Sequence, residues 1–527
     1  MRSLISPVST ESALYRRAWR WHFYAGLVCL PFLTMMALTG ALYLYKEPIE
    51  SLIYARQRFV EPAPAAVLDA EFLVAKARVV EPGEAVRFVA PQQAGRSAEV
   101  GIRAGGAVVA VYLDPASGRV LGRVRDDFKL MEVVKRIHSL AIAGTVANHW
   151  IEVVAGWAIV LVVSGVFLWW PRGRPGGVYS LRGRPAQRNW WRDLHAVTGV
   201  TAGAAILFLA ITGMPWSAFW GEQFGRLTNA WGIGLPKHLF GPAPESSTPL
   251  ASLGNVPWTL TRAPLPQSAA HSGHSGHSDH ADHAGHSDHA DHARHADHAD
   301  HADHADHANH AGHGGHEGHE GHVGHVRGEG HDGRGDDASR AAEVPSAPTA
   351  GVAAPSIGLN EALRIFARLG LPPGTPVSLP AGPRGVYTAM LFPDDARQQR
   401  VVHLDRYSGA VLADVGYPDY GIAGRLTEWG VNLHTGVQFG WINKLVMLAG
   451  CLSIVTLAIS AGVMWWKRRP RGRLAAPPRR PGDRAALAAI AVAVLLGLLY
   501  PLLGASMLVA LLVDAAVPQR WHERFGL

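Results

Sequence analysis

Four long apolar runs constrain the fold of this 527-residue chain more than any other feature. Each is long enough, at about 1.5 Å per helical residue, to cross about 30 Å of hydrocarbon. They lie at about 23–45, 150–170, 196–219 and 442–466. A fifth apolar block, at about 485–517, is too long for one span and breaks at Tyr500 and Pro501, which favours two short helices in a hairpin. The sequence therefore predicts an α-helical integral membrane protein with six spans.

Basic residues between the apolar runs predict the orientation of the spans. Six arginines lie in the loop 172–192, and eight lysines or arginines lie in 467–484. Short basic loops stay in the cytoplasm, so we expect both termini there and the segments 47–147 and 221–440 in the periplasm of a bacterial inner membrane. The first apolar run is too long for a signal peptide and is expected to be an uncleaved anchor. The net charge of +7 follows this topology and does not indicate a nucleic-acid partner.

The expected domain boundaries follow from these runs and loops. In chain order they are a cytoplasmic N-terminus (1–20), a first span (21–46), a first periplasmic domain (47–147), a second span (148–171), a basic cytoplasmic loop (172–193), a third span (194–220), a periplasmic linker (221–270), a histidine-rich tract (271–335), a second periplasmic domain (355–440), a fourth span (441–466), a second basic loop (467–484), a fifth and a sixth span (485–501 and 502–518) and a cytoplasmic tail (519–527).

The two periplasmic domains share a sequence repeat. The pattern Leu-Asp-x-x-Ser-Gly-x-Val-Leu occurs at 113–121 and again at 404–412, an offset of 291. In the first domain, helical periodicity over 69–79 precedes four strand-like segments, the last two joined by the Asp-x-x-Ser-Gly turn. We therefore expect two small α+β domains, which either brace the helices they connect or dock a substrate. The strand-like segments are 84–90, 97–103, 107–114 and 119–125, and the helix of the second domain is 359–369.

Four histidines beside the apolar runs recur in register. His22 and His195 open the same His, Gly, Thr-Gly pattern at an offset of 173, and His138 and His434 each lie 31 residues before a Trp-Trp pair. Ionisable side chains in or beside membrane spans are costly, which favours a functional interpretation. We expect His22 to face His195 near the cytoplasmic side and His138 to face His434 on the outer side. Each pair then suits the two axial positions of an iron porphyrin in an apolar bundle. The glycines expected to make room are Gly26, Gly40, Gly199 and Gly213.

Other roles for these histidines stay open. An interfacial histidine can instead solvate a helix end or cap a carbonyl group. His149, at the mouth of the second run, is a reserve candidate for the outer ligand, although its counterpart in the repeat is Leu445. A straight helix from His138 to the second run would lift this histidine about 18 Å out of the membrane. We therefore expect Gly144 and Gly436 to let these segments fold back over the bundle.

The remaining histidines and the cysteines receive simpler interpretations. His238, His403 and His522 are expected at the surface. Cys29 and Cys451 fall inside apolar runs and are expected to be small core residues rather than metal or redox thiols.

A histidine-rich tract separates the third span from the second periplasmic domain. Its His-x-x repeat with Asp, Ala and Gly has no helical or strand period and almost no apolar residues, which predicts disorder. Imidazoles interleaved with carboxylates suit diffuse, low-affinity binding of Zn²⁺, Cu²⁺, Ni²⁺ or Fe³⁺; the alternative is a solvated linker. The candidate ligands are His271, His274, His277, His280, His283, His286, His289, His292, His295, His298, His301, His304, His307, His310, His313, His316, His319, His322, His325 and His331.

The motifs around the four paired histidines resemble the PepSY-associated transmembrane family, which includes inner-membrane ferric-siderophore reductases. The motifs are Arg20-Trp21-His22, Ile137-His138-Ser139, Leu194-His195 and Leu433-His434-Thr435, with the closing motifs Ser164-Gly165-x-x-x-Trp169-Trp170-Pro171-Arg172 and Gly462-Val463-Met464-Trp465-Trp466-Lys467. The resemblance covers about 15–470. It implies that the exported modules are PepSY domains and that the four histidines carry two b-type haems. It also implies reduction of Fe³⁺ held by a periplasmic siderophore, which weakens the oxygen ligation and frees the metal.

Two features depart from that family pattern. The histidine-rich tract admits unchelated metal, for example copper, as substrate or regulator. No Gly-x-Gly-x-x-Gly follows a strand, and inner loops of about twenty residues leave no room for an NADPH or flavin domain, so electrons are expected from a membrane quinol or a separate protein. Two other functions stay open: a non-enzymatic metal-homeostasis factor that uses the tract, and a PepSY-type module that restrains another exported protein.

Overall fold

The computed structural model describes residues 13–62, 67–171, 179–235, 244–254, 256–268, 355–469 and 487–516. The histidine-rich tract, His238 and His522 lie outside these residues. The helices are α1 (Ala13–Tyr43), α2 (Lys46–Ile53), α3 (Ala55–Arg58), α4 (Ala70–Val80), α5 (Leu130–His138), α6 (Thr145–Trp169), α7 (Arg188–Gly213), α8 (Trp220–Ala230), α9 (Gly358–Arg368), α10 (Ile422–His434), α11 (Gly440–Arg468), α12 (Leu487–Leu499) and α13 (Pro501–Ala516). The strands are β1 (Glu84–Val89), β2 (Ala98–Ala104), β3 (Ala107–Leu113), β4 (Val120–Arg125), β5 (Glu245–Pro249), β6 (Pro264–Pro266), β7 (Val377–Ser378), β8 (Val386–Leu391), β9 (Arg400–Asp405) and β10 (Val411–Gly416).

Four helices have the length and apolar composition of membrane spans. The segments are Leu14–Tyr43, Thr145–Trp169, Arg188–Trp216 and Gly440–Arg468, with 25 to 30 residues and mean hydropathies of 1.9 to 2.3. α1 and α7 each pack against both α6 and α11, which closes a four-helix bundle. By length and composition, these helices confirm four of the six predicted spans. We call the bundle end at Tyr43 and Gly440 the sheet end, because the sheet-rich domain follows it, and the end at Trp169 and Arg468 the basic end.

Small side chains fill the centre of the bundle. Its buried cluster consists of Ala37, Ala158, Ala202, Ile206, Cys451 and Ile454. Small residues let helices approach closely where lipid replaces water as the solvent. Cys29 and Cys451 are both buried and unpaired, which confirms their prediction as core residues.

The two C-terminal helices form the predicted hairpin. α12 ends at Leu499 and α13 begins at Pro501, and α13 packs against α6. At about 1.5 Å per residue, 13 and 16 residues reach only about 20 and 24 Å. Because the residues before α12 and after α13 lie outside the described part of the chain, the fifth and sixth spans stay predictions.

The two repeated modules share one antiparallel sheet with the strand order β10-β9-β8-β7-β1-β2-β3-β4. All four strand-like segments predicted for the first module are present, as are the helices α4 and α9. The prediction of two separate small domains is wrong. β1 pairs with β7 through Arg87 opposite Ser378 and Phe88 opposite Val377, and one apolar core joins α4, α9 and both halves. Pairing these two strands removes two exposed sheet edges, which are otherwise prone to aggregation.

The predicted Asp-x-x-Ser-Gly turn is present in both halves of the sheet. Asp114 accepts hydrogen bonds from the Ala116 backbone N–H at 2.9 Å and the Ser117 hydroxyl at 2.7 Å. In the second half, Asp405 accepts them from the Tyr407 backbone N–H and the Ser408 hydroxyl, both at 2.9 Å. The glycine that follows each serine has a positive φ, 69° and 71°, as a left-handed turn position requires.

The sheet returns to the bundle through α5 and α10, and each of these helices ends at a histidine. After His138 the chain turns at Leu140 and Gly144, whose φ values are 56° and 97°, before α6 begins. After His434 it turns at Gly436, whose φ is 78°. These tight turns confirm the expected fold-back at Gly144 and Gly436 and bring both histidines onto the sheet end of the bundle.

Candidate functional site

Two histidines face each other near the basic end of the bundle. His22 lies on α1 and His195 on α7, and their ring centroids are 6.5 Å apart with ring planes at 83°. His22 Nδ1 lies 2.9 Å from Ser164 Oγ on α6. His195 Nδ1 lies 3.2 Å from both the carbonyl oxygen of Leu457 and Ser460 Oγ on α11. All four bundle helices therefore contribute to this pair.

A second histidine pair lies at the sheet end. His138 Nδ1 is 2.9 Å from Thr39 Oγ1 on α1, and His434 Nδ1 is 2.9 Å from Thr212 Oγ1 on α7. Desolvation lowers the pKa of His138, and desolvation together with the neighbouring His138 lowers the pKa of His434 to about 4. Both imidazoles are therefore neutral at physiological pH, and neutral imidazole is the form that binds a metal ion.

Three of the four imidazoles lie directly against glycines. A Cβ atom added at Gly165 would stand 3.2 Å from Cε1 of His22, and one at Gly213 would stand 3.4 Å from Cε1 of His434. The corresponding distance from Gly40 to Cε1 of His138 is 3.6 Å. Gly40 and Gly213 therefore leave space for the imidazoles of the outer pair. A Cβ atom added at Gly26 or at Gly199 would instead stand 3.8 Å from a leucine side chain. Gly165 is part of a closing motif, but sequence reasoning gave it no role.

Each imidazole leaves its Nε2 atom available for a ligand. Among the described residues, no group hydrogen-bonds to Nε2 of His22, His138, His195 or His434. A metal–nitrogen bond is about 2 Å long, and the centre of an imidazole ring lies about 1 Å beyond its nitrogen. Two imidazoles that bind the same metal ion therefore have ring centres roughly 6 Å apart. The 6.5 Å between His22 and His195 therefore fits two imidazoles that bind one metal ion from opposite sides.

The other sequence candidates are not part of these pairs. His149 Nδ1 lies 2.7 Å from the carbonyl oxygen of Thr145 in its own helix. The prediction that His403 is a surface residue is wrong: it is 1% exposed on β9, because the second half of the sheet is covered on both faces. In the described part of the chain, no three His, Cys, Asp or Glu side chains are grouped to hold a metal ion. The tract histidines lie outside that part.

Sequence reasoning assigned no role to the hydroxyl partners of the histidines. Thr39 and Thr212 are separated by the same offset of 173 as His22 and His195, and Ser164 and Ser460 are separated by 296. These equal offsets were the available signal. Each histidine–hydroxyl contact of one half of the bundle therefore recurs at the corresponding positions of the other half.

A buried carboxyl group on α10 ties this helix to the segment that covers the sheet. Glu428 is 2% exposed and accepts hydrogen bonds from the backbone N–H and the hydroxyl of Thr259, both at 2.9 Å. Burial raises the pKa of Glu428. Since α10 ends at His434, this contact helps to fix the position of the outer pair.

The basic end carries a buried carboxylate beside the inner pair. Asp193, two residues before His195, is fully buried and binds Arg182 at 2.9 Å and Arg192 at 2.8 Å. At the same end of the bundle, the guanidinium of Arg468 lies 4.6 Å from the ring centre of Trp19. The ion pairs of Asp193 thus tie the preceding loop to α7, and the contact of Arg468 with Trp19 joins α11 to α1.

Comparison with protein families gives one match of direct relevance. The model described as the PepSY-associated TM region matches residues 19–468, which include both histidine pairs, the sheet, three complete spans and the first span from Trp19 onward. A search of curated proteins gave no significant match. Because the matched region covers most of the sequence, this membrane protein belongs to the PepSY-associated transmembrane family.

Proposed function

We propose that this protein transfers electrons across the bacterial inner membrane to a ferric complex on the periplasmic side. His22 and His195 would hold an inner b-type haem, and His138 and His434 an outer one. The observation that supports this proposal is the occurrence of two histidine pairs in one bundle, each with Nδ1 bound to a neighbouring helix and Nε2 available. A b-type haem, which each pair of histidines would hold through its two imidazoles, is the cofactor that such pairs fit best.

The separation of the pairs explains why two sites are needed. His22 and Thr39, the partner of His138, are 17 residues apart on α1, about 25 Å along a helix axis. Between them lies the apolar cluster at the centre of the bundle. One site cannot bridge an apolar layer of about 30 Å, whereas two sites divide the distance.

The residues around each pair would bind the haem, orient the imidazoles that hold it and exclude water. When bound, haem iron supplies a one-electron couple. The histidines fix its position, the serine and threonine hydroxyls orient the imidazoles, and the glycines leave space beside them. The small apolar side chains of the bundle keep water and ions out of the layer between the two pairs.

Electrons are expected to enter at the basic end and to leave at the sheet end. The basic loops favour a cytoplasmic position for the first end. A membrane quinol would release two electrons and two protons as it becomes quinone, and a separate protein donor is the alternative. The substrate would be a ferric siderophore or another metal complex in the periplasm, and each Fe³⁺ that gains one electron becomes Fe²⁺, which hard oxygen ligands hold less tightly.

Single ligand substitutions in the purified full-length protein test the assignment. We expect a low-spin haem spectrum from the wild type. His22→Ala or His195→Ala should lose the inner haem and keep the outer one, and His138→Ala or His434→Ala should do the reverse, because one imidazole leaves the iron half-ligated.

His149→Ala is the matched control, because His149 is a histidine at the sheet end that belongs to neither pair. It should retain the full haem content. A wild-type protein without haem, or full haem content in all four ligand variants, would contradict the proposal.

Membrane vesicles of known sidedness test the direction of transfer. After anaerobic reduction, the reduced-haem spectrum should disappear when a ferric siderophore is added to the periplasmic face only. Oxidation from the cytoplasmic face alone would refute both the orientation and the reaction.

A second candidate function is non-enzymatic metal binding by a membrane-anchored tract. Twenty of the 28 histidines of the sequence lie in that tract, which favours a role in copper, zinc or nickel homeostasis. A third is a PepSY module that restrains another exported protein. A haem spectrum in the purified protein separates the first proposal from both.

A further inference from the structure

The hydroxyl groups beside the four histidines have their own protons already engaged. Ser164 donates to the carbonyl oxygen of Val160 at 2.7 Å, and Thr39 donates to that of Met35 at 2.7 Å. In the other half of the bundle, Thr212 donates to the Phe208 carbonyl at 2.7 Å and Ser460 to the Leu457 carbonyl at 2.8 Å. A hydroxyl group has one proton. Toward the histidine, each oxygen is therefore left as an acceptor.

The acceptor role of these oxygens determines which ring nitrogen carries the proton. A neutral imidazole has one N–H and one lone pair. If Nδ1 donates to the hydroxyl oxygen, Nε2 carries the lone pair. His195 gives independent support, because its Nδ1 also lies 3.2 Å from the Leu457 carbonyl oxygen, which only accepts hydrogen bonds. The same tautomer at all four positions leaves a lone pair on each of the four Nε2 atoms.

We infer that Ser164, Ser460, Thr39 and Thr212 are positioning residues that hold the four histidines in the Nδ1–H tautomer, and thereby set the strength of their metal–nitrogen bonds. This inference rests on the proposed function. An acceptor at Nδ1–H raises the basicity of the opposite nitrogen, and such partners typically change metal affinity by about 10- to 100-fold. A more basic imidazole favours ferric over ferrous iron.

The four hydroxyls are not equivalent, and the difference provides an internal control. His195 has two acceptors, Ser460 Oγ and the Leu457 carbonyl, so loss of the Ser460 hydroxyl leaves one in place. His22 likewise has the backbone of Leu161 beside the Ser164 hydroxyl, and His138 has that of Met36 beside Thr39. For His434 the structure gives the Thr212 hydroxyl as the acceptor beside Nδ1. Thr212→Val should therefore have a larger effect than Thr39→Val, although both substitutions remove the same atom beside the same histidine pair.

At the outer pair, Thr212→Val removes the acceptor and keeps the shape of the side chain, whereas Thr212→Ser keeps the acceptor. The measurements are haem content and the two midpoint potentials in redox titrations of the full-length protein. Thr212→Val should raise the outer potential. A tenfold change in the preference for ferric iron corresponds to about 59 mV for one electron. Thr212→Ser and Thr39→Val should stay near the wild-type values.

Three results would overturn this inference while leaving the haem assignment intact. They are unchanged potentials and haem content in Thr212→Val, equal shifts in Thr212→Val and Thr39→Val, or equal shifts in Thr212→Val and Thr212→Ser. A wild-type protein without haem would instead refute the proposed function. The two failures are thus distinguishable.

Discussion

Acidification should destabilise this protein through one buried histidine of the sheet. His403 is 1% exposed on β9, and its Nδ1 lies 2.8 Å from Thr388 Oγ1 on β8. Because side chains two residues apart on a strand share a face, His403 lies on the same face as Val401, under the covering segment that contributes Leu250 and Leu260. Burial lowers the pKa of His403 to about 3.

The size and sign of the effect follow from proton linkage. An unfolded histidine has a pKa near 6.5, so between about pH 3 and pH 6.5 the unfolded state binds more protons than the folded state. The contribution of His403 to the free energy of unfolding is therefore fully present above pH 6.5 and decreases as the pH falls. At pH 5.0, 1.5 units below the unfolded value, the loss is about 2 kcal/mol, since one unit corresponds to about 1.4 kcal/mol.

The assay compares urea unfolding of the full-length protein in detergent at pH 7.5 and pH 5.0, followed by tryptophan fluorescence. Between the two pH values the wild type should lose about 2 kcal/mol more than His403→Asn, which cannot titrate. Thr388→Val removes the hydrogen bond but keeps the titrating group, so it should retain most of the wild-type pH dependence. The same pH dependence in the wild type and His403→Asn would refute the reasoning.

Three further predictions concern the inner site, the sheet and the tract. Gly165→Ala places a Cβ atom 3.2 Å from Cε1 of His22 and should lower the inner-haem content. Gly462→Ala is the control: its added Cβ atom has no described neighbour within 4 Å, so the haem spectrum should be unchanged. Arg87→Met removes the guanidinium that lies 2.6 Å from Glu99 and 2.9 Å from Asp126 but leaves Lys129 as their second cation, and it should destabilise the protein by about 2 kcal/mol, measured by urea unfolding. Deletion of 271–331 should lower the number of Cu²⁺, Zn²⁺ or Ni²⁺ ions bound per chain, measured by elemental analysis, without changing haem content; unchanged metal binding would make the tract a linker.

Elements that depend on local signals could be predicted from the amino-acid sequence. Apolar runs gave the four long helices, and alternation and turn residues gave the strands of the first module and the Asp-x-x-Ser-Gly turns. The equal offsets singled out the four histidines, because each half of the bundle repeats the same contacts. Gly144 and Gly436 could be predicted as turn points, since only a sharp turn returns the histidines to the membrane.

The contacts between segments that are distant in the sequence could not be predicted and are visible in the folded protein. The pairing of β1 with β7 joins strands almost 300 residues apart into one sheet, and no local pattern specifies which sheet edges pair. The burial of His403 depends on the segment that covers its strand. The bonding of the histidine Nδ1 atoms to serine and threonine hydroxyls depends on how the bundle helices pack. A one-dimensional pattern records periodicity and repetition, whereas these contacts arise from long-range packing and hydrogen bonding, which depend on the three-dimensional arrangement of the whole chain.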